Sequence, residues 1–247
     1  MFKNSCFFIV IFLFACHISV ADDDIKSMLK TADGYRQQGE ELLIKTEVNL
    51  YIKDKLDKQS LYHVFVKSGR RSLVVFKSAG ELGQKVLMLD DKFWIILPNT
   101  RRPIRITPMQ KLLGEASVGD IATLTWSEDY DGTIIEHNIT EQGINSIKLD
   151  LNSTRKGTTY HRIELFLNQK DYFPIKANLY LKSGKLAKEA YYENGTMNDQ
   201  RRVVAMTLVD LINKDQKTIV NYESMENKSI PDKFYNPAFL VRTDLPD

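Results

Sequence analysis

Three short runs in the first half of the chain are apolar on both sides of an extended backbone. They are Ser72-Leu73-Val74-Val75-Phe76, Val86-Leu87-Met88-Leu89 and Phe93-Trp94-Ile95-Ile96-Leu97. A sheet with one face in water alternates apolar and polar residues, so strands of this kind need cover on both faces. They stand in a long series of period-two segments. Residues 41–53, 59–67, 71–77, 84–89, 92–97, 101–106, 133–140, 146–151, 160–167, 175–181, 186–192, 201–211 and 218–225 all read as strands. Turn signals separate them, among them Ser68-Gly69, the Gly80–Gly83 run, Asp90-Asp91, Ser183-Gly184 and Asn213-Lys214-Asp215. Eleven to thirteen hairpin-connected strands predict one large antiparallel sheet, sandwich or barrel.

Helical signals are few. Ile25, Met28, Leu29, Ala32 and Tyr35 recur at helical spacing, which predicts a helix over 25–38 with Gly39 ending it. Pro108 to Leu113 reads as one or two helical turns with Pro at the start, and Gly114 closes it. Residues 117–126 form a second short helix or loop, and 231–235 a last helical turn. Two readings of the doubly apolar strands stay open: a fully covered core sheet, or a cavity with an apolar lining and a helical lid.

The first 21 residues have the form of an export signal. Lys3 is their only charge, and an uncharged run extends from Cys6 to Cys16, too short to span a bilayer of about 30 Å as a helix. Ser19-Val20-Ala21 offers small residues for cleavage after Ala21, with Asp22-Asp23-Asp24 opening the mature chain. Leu13-Phe14-Ala15-Cys16 is a rival site at which Cys16 would carry lipid. Cleavage after Ala21 leaves one domain over 22–247, 226 residues without cysteine, so no disulfide, thiol catalyst or thiolate metal site is expected. Its 33 basic and 32 acidic residues give no reason to expect nucleic acid.

The motif search excludes most enzyme classes. There is no Gly-x-Ser-x-Gly elbow, no P-loop and no Gly-x-Gly-x-x-Gly. His63, His137 and His161 lie on separate strands without metal-ligand spacing, so neither a metal nor a cofactor is expected. The basic strand around Arg101, Arg102 and Arg105 has two readings. Its charges discourage edge pairing, or they form a rim for phosphate head groups or an acidic partner.

The stretch from Phe76 to Pro108, followed by Gly114–Ala122 and Trp126–Tyr130, resembles the outer-membrane lipoprotein-sorting proteins, the LolA-like periplasmic family. Four elements in order carry the resemblance: Gly83 with Leu87 four residues on, the Phe93-Trp94 to Leu97-Pro98 strand, the Arg101-Arg102 pair, and Gly119-Asp120. It implies an incomplete antiparallel β-barrel of about eleven strands, covered by helices, whose apolar hollow takes acyl chains of a lipoprotein or another lipid. The implied protein is a non-enzymatic periplasmic carrier moving its cargo toward the outer membrane, with an inner-membrane transporter and an outer-membrane acceptor as transient partners. A lipid sensor or exporter accessory is the alternative, ahead of a lipid hydrolase or a structural envelope subunit. On this reading Phe76, Leu87, Leu89, Trp94, Ile96, Leu112 and Leu113 are the cavity and lid residues. Arg101 and Arg102 are the head-group or partner contacts.

Overall fold

The computed structural model describes residues 25–100, 102–122, 125–210 and 215–243. The leader, the rival Cys16 site and Arg101 lie outside the described residues. Alternation sets the first hairpin. In β1 (Glu41–Ile52) and β2 (Lys55–Lys67), Leu42, Ile44, Val48, Tyr62 and Val64 are buried on one face, while Leu43 and Phe65 are buried on the other. Lys53 and Asp54 both take positive φ (49° and 59°), the two-residue turn whose twist matches paired strands. The same device recurs at Gln142-Gly143 and Asn198-Asp199.

The chain continues through β3 (Arg71–Phe76), β4 (Lys85–Leu89), β5 (Lys92–Ile96) and β6 (Ile104–Ile106). After a crossing segment come β9 (Tyr130–Glu141), β10 (Ile144–Ser153), β11 (Arg162–Asn168), β12 (Pro174–Tyr180), β13 (Leu186–Met197), β14 (Gln200–Val209) and β15 (Gln216–Asn227). All thirteen join one antiparallel sheet in the order β6-β5-β4-β3-β2-β1-β15-β14-β13-β12-β11-β10-β9. Two meanders are thus stitched together where β1 pairs with β15, from Leu42↔Asn227 to Ile52↔Gln216. The edges β6 and β9 do not pair, so the sheet is curled but open. The expected incomplete barrel is present, with thirteen strands in the sheet among the described residues instead of about eleven.

Alternate residues from the strands β1–β5 and β9–β15 converge on a single apolar cluster, which makes that face the inside of the curl. It is covered by helix α1 (Ile25–Arg36) and by the crossing segment. That segment holds a ribbon of β7 (Lys111–Leu113) and β8 (Ala116–Ser117), then the short helices α2 (Val118–Ile121) and α3 (Trp126–Asp129). α1 rests on β9, β14 and α3. The outer face of β1–β5 is covered separately. A 3-10 turn (Asp232–Tyr235) and helix α4 (Pro237–Leu240) place Ile230, Phe234, Tyr235 and Leu240 over Leu43, Phe65, Leu73, Val75, Leu87 and Ile96.

One local expectation is corrected: Pro108 to Leu113 is a turn followed by a strand, not a helix. Six residues are too few to nucleate a helix without packing that favours it. Here Gly114 at φ +53° turns the chain, and Leu113 pairs with Ala116. The Glu115 N–H donates to Thr218 Oγ1 on β15 at 2.8 Å.

The two flanks of the open sheet touch through loops. Gly157, between β10 and β11, abuts the β4–β5 turn so closely that a Cβ there would stand 2.5 Å from the Asp91 Cα. Gly157→Ala should therefore force the flanks apart and lower the melting temperature by about 2–12 °C. Calorimetry checks this; an unchanged transition would mean that the contact is not a structural seam.

Candidate functional site

The inner face and its cover form the candidate site. Leu149, Leu151, Ile163, Leu165, Ala177, Leu208 and Val220 of the sheet are buried there against Met28, Leu29, Leu113, Val118, Ile121 and Trp126 of the cover. A surface of this kind attracts any acyl chain by about 0.8 kcal/mol per methylene buried. Little space is left while the cover is in place. A cavity of about 40 Å³ remains beside Asp120, Trp126, Tyr160, Tyr192 and Met206, room for a few waters and no lipid.

Three buried aspartates hold the cover, each in a different way. Asp33 on α1 accepts the backbone N–H groups of Trp126 (3.0 Å) and Ser127 (2.8 Å), which caps α3 from a neighbouring helix. Burial pushes the Asp33 carboxyl up, against the pull of Arg36 and those two N–H groups. Arg36 also stacks over the Trp126 ring at 4.2 Å, and Trp126 meets Tyr192 edge-on.

Asp120 on α2 is the second anchor. Its Oδ2 accepts from the Ser117 hydroxyl (2.7 Å), the Ser117 N–H (2.9 Å) and Lys188 Nζ on β13 (3.0 Å), and its Oδ1 accepts from the Tyr160 hydroxyl (2.7 Å). Lys188 also donates to the Glu115 carbonyl. Burial alone would raise the Asp120 carboxyl, but Lys188, Ser117 and Tyr160 together hold it below its ordinary value. Gly119 beside it is equally constrained: a Cβ there would lie 1.7 Å from Thr159 Oγ1. The Gly119-Asp120 pair is therefore a fit, small at one residue and anionic at the next.

The third anchor is Asp129, fully buried at the end of α3. Arg70, in the β2–β3 turn at φ +56°, donates to it and to Asp91 at 3.3 Å, and lies 3.5 Å from Asp90. Arg155 reaches Asp90 at 3.2 Å and Asp129 at 3.7 Å from the β10–β11 loop. This cluster ties the cover to both flanks of the sheet.

The residues expected to line a cavity divide between the two faces. Phe76 and Leu113 are buried in the inner cluster, and Leu112 packs against it. Leu87 and Ile96 lie on the outer face under the C-terminal segment, with Leu89 and Trp94 packed against them. Those four are accordingly reassigned to the outer core, because strands apolar on both sides give no sign of which face turns inward. Arg102 is exposed two residues before β6, and Arg105 in β6 stacks on Trp94 at 4.5 Å. Asp33, Arg70, Asp129 and Lys188 carried no motif. The local sequence carries no signal of their burial: Lys188, for example, is followed directly by Glu189. Among the described residues, no three His, Cys, Asp or Glu side chains are placed to hold a metal ion, and no helix is long and apolar enough to cross a membrane.

Lys188→Met leaves the Asp120 carboxylate buried without its cation and should cost about 3–5 kcal/mol. Adding Asp120→Asn should recover part of that loss in urea melts; a double variant no more stable than the single would show that the two groups do not act as a pair. The Asp120 carboxyl is depressed from 3.8 in the folded state. Its stabilisation is therefore fully present above that value and is lost as pH falls through the folded one. Asp120→Asn should flatten the acid limb of a stability–pH curve below about pH 4; an unaltered limb would place the acid sensitivity elsewhere.

Residues 68–242 match the model of a family described as "Uncharacterized protein". No curated protein matches the chain. Among solved structures, it is similar to a LolA superfamily protein from Nitrosomonas europaea, with 26% identity over 85% of this chain and 96% of the other, at a TM-score of 0.78. A DUF1329 family protein from Desulfovibrio piger shares the fold at 17% identity, covering 87% and 97% of the two chains, TM-score 0.71. An outer membrane lipoprotein-sorting protein domain from Vibrio parahaemolyticus does so at 17% identity, covering 88% and 98%, TM-score 0.70. The chain belongs to the family matched over 68–242, and its open antiparallel sheet is the fold seen in the LolA superfamily protein and the lipoprotein-sorting domain.

Proposed function

We propose that this protein is a non-enzymatic periplasmic carrier that holds the acyl chains of a lipoprotein or another lipid on the inner face of the sheet and moves them toward the outer membrane. The observation that carries this reading is a continuous apolar inner face covered by a segment of the same chain, fixed by a few ionic contacts. A carrier has to bind acyl chains strongly enough to take them through water and still release them. An inner face that packs its own cover in the empty state meets both needs, because cargo gains only the difference between its contacts and those of the cover. The fold shared with lipoprotein-sorting proteins supports the same reading. A leader cleaved after Ala21 would deliver the chain to the periplasm. The exposed Arg102 is a candidate contact for a membrane partner, an inner-membrane transporter or an outer-membrane acceptor. Of the residues expected at the cavity, Phe76, Leu112 and Leu113 retain that role.

Native mass spectrometry of the protein isolated gently from its own periplasm should find one acylated species per chain. An empty protein that also refuses fluorescent acyl probes would overturn the carrier reading. Asp33→Ala removes the cap that α1 places on α3 and should make the cover easier to lift by about 0.5–2 kcal/mol. Acyl-probe affinity should then rise about 2- to 30-fold while thermal stability falls. Affinity that is unchanged or lower would mean that cover and cargo do not compete.

A further inference from the structure

Two buried polar groups beside a cleft on the inner side of the sheet have nothing to bond. The cleft, of about 630 Å³, opens between the C-terminal half of α1 and the β2–β3 hairpin, and its lining includes Val66 and Met88 of the inner face. Ser72 on β3 pairs with Val66 on one side and Met88 on the other, so the three form one row across the same face. Ser72 is fully buried, and its hydroxyl has no hydrogen-bond partner among the described residues. Arg70, two residues earlier, also lines the cleft, and its side chain is 6% exposed. Its guanidinium ends are bound to Asp129 of the cover and to Asp91. Its Nε–H makes no hydrogen bond among the described residues, and Asp90 Oδ1 stands off at 3.5 Å. Buried polar groups are nearly always paired, and an orphaned one costs more than a made bond gains. Two orphan donors at the inner end of an open cleft therefore suit an acceptor that arrives from outside. The carboxylates around Arg70 already offset its charge, so the matching acceptor is neutral.

We propose that cargo enters through this cleft and that Ser72 Oγ–H and Arg70 Nε–H take the carbonyl oxygens by which its acyl chains are attached, as esters or amides, while the chains run past Val66 and Met88 onto the inner face. The proposal rests on the acyl-carrier reading and adds the linkage chemistry that the carrier recognises. A carbonyl oxygen has two lone pairs and no charge, which fits donors whose ionic demand is already met. A hydrocarbon brings no acceptor to the two orphan donors, and would leave them buried and unpaired.

The test uses the full mature chain and three dansyl-labelled undecyl probes of matched length: a methyl ester, an N-methylamide and a methyl ether that lacks the carbonyl. In fluorescence titrations the carbonyl probes should bind more tightly than the ether, and the tighter of the two identifies the linkage. Ser72→Ala should weaken the carbonyl probes by about 2- to 10-fold and leave the ether unchanged. Thermal stability should not fall, because the hydroxyl has no partner to lose. Gly34 on α1 lines the cleft, and a Cβ there meets nothing within 4 Å. Gly34→Trp should therefore fold and slow the uptake of all three probes. Ester, amide and ether bound equally by the natural chain, or weakened alike by Ser72→Ala, would overturn the carbonyl seat while leaving the acyl carrier standing. Uptake unaffected by Gly34→Trp would overturn the cleft as the route. No binding of any probe would overturn the carrier reading as well.

Discussion

A sheet that is apolar on both faces has to be covered twice, and the two covers here are held by different physics. On the outside, the C-terminal turn and α4 lie on β1–β5 mainly through the apolar side chains of Ile230, Phe234, Tyr235 and Leu240, with the exposed Asp232 carboxylate bound to Lys67 and Arg71 at the edge. On the inside, α1 and residues 107–122 and 125–129 are registered by Asp33, Asp120 and Asp129, each buried and each bound to a donor on a different element. Buried ion pairs recover roughly what their desolvation costs, so they set position more than they add stability. An inner cover held in this way sits in one place without being locked there.

That difference bears on the proposed carrier role. A cover fixed only by apolar contacts would compete with an acyl chain at full strength and without a defined geometry. A cover fixed by a few polar anchors can leave as a unit once those anchors are exchanged for others, as in any two-state element biased by its ligand. α1 is central to this arrangement, because it caps α3 through Asp33 and stacks Arg36 on Trp126. It also forms one wall of a cleft of about 630 Å³ whose opposite wall is the β2–β3 hairpin.

The motifs that carry the LolA-like resemblance acquire a physical basis in the same frame. Gly119 is small because Thr159 packs against its Cα, and Asp120 is acidic because Lys188, Tyr160 and Ser117 all aim donors at its position. Gly83, at φ +84°, turns the chain against Pro98, with the Pro98 ring 3.1 Å from where a Cβ would stand. These residues shape the cover and the loops around the sheet.

Much of the architecture follows from the sequence alone. Period-two alternation and turn residues marked the strands of the large sheet, because a half-buried strand writes its two faces into alternate residues, as Leu42, Ile44 and Val48 do in β1. The helix at 25–36 was equally legible from its apolar stripe. The chain could not indicate which face of β3–β5 turns inward: Leu87 and Met88 are equally apolar, yet one lies under α4 and the other under the inner cover. Nor could it assign partners to Asp33, Arg70 or Lys188, since each is bound to a residue tens of positions away. Local pattern specified the strands; the curl of the sheet, which only long-range packing sets, decided which side chains met inside it.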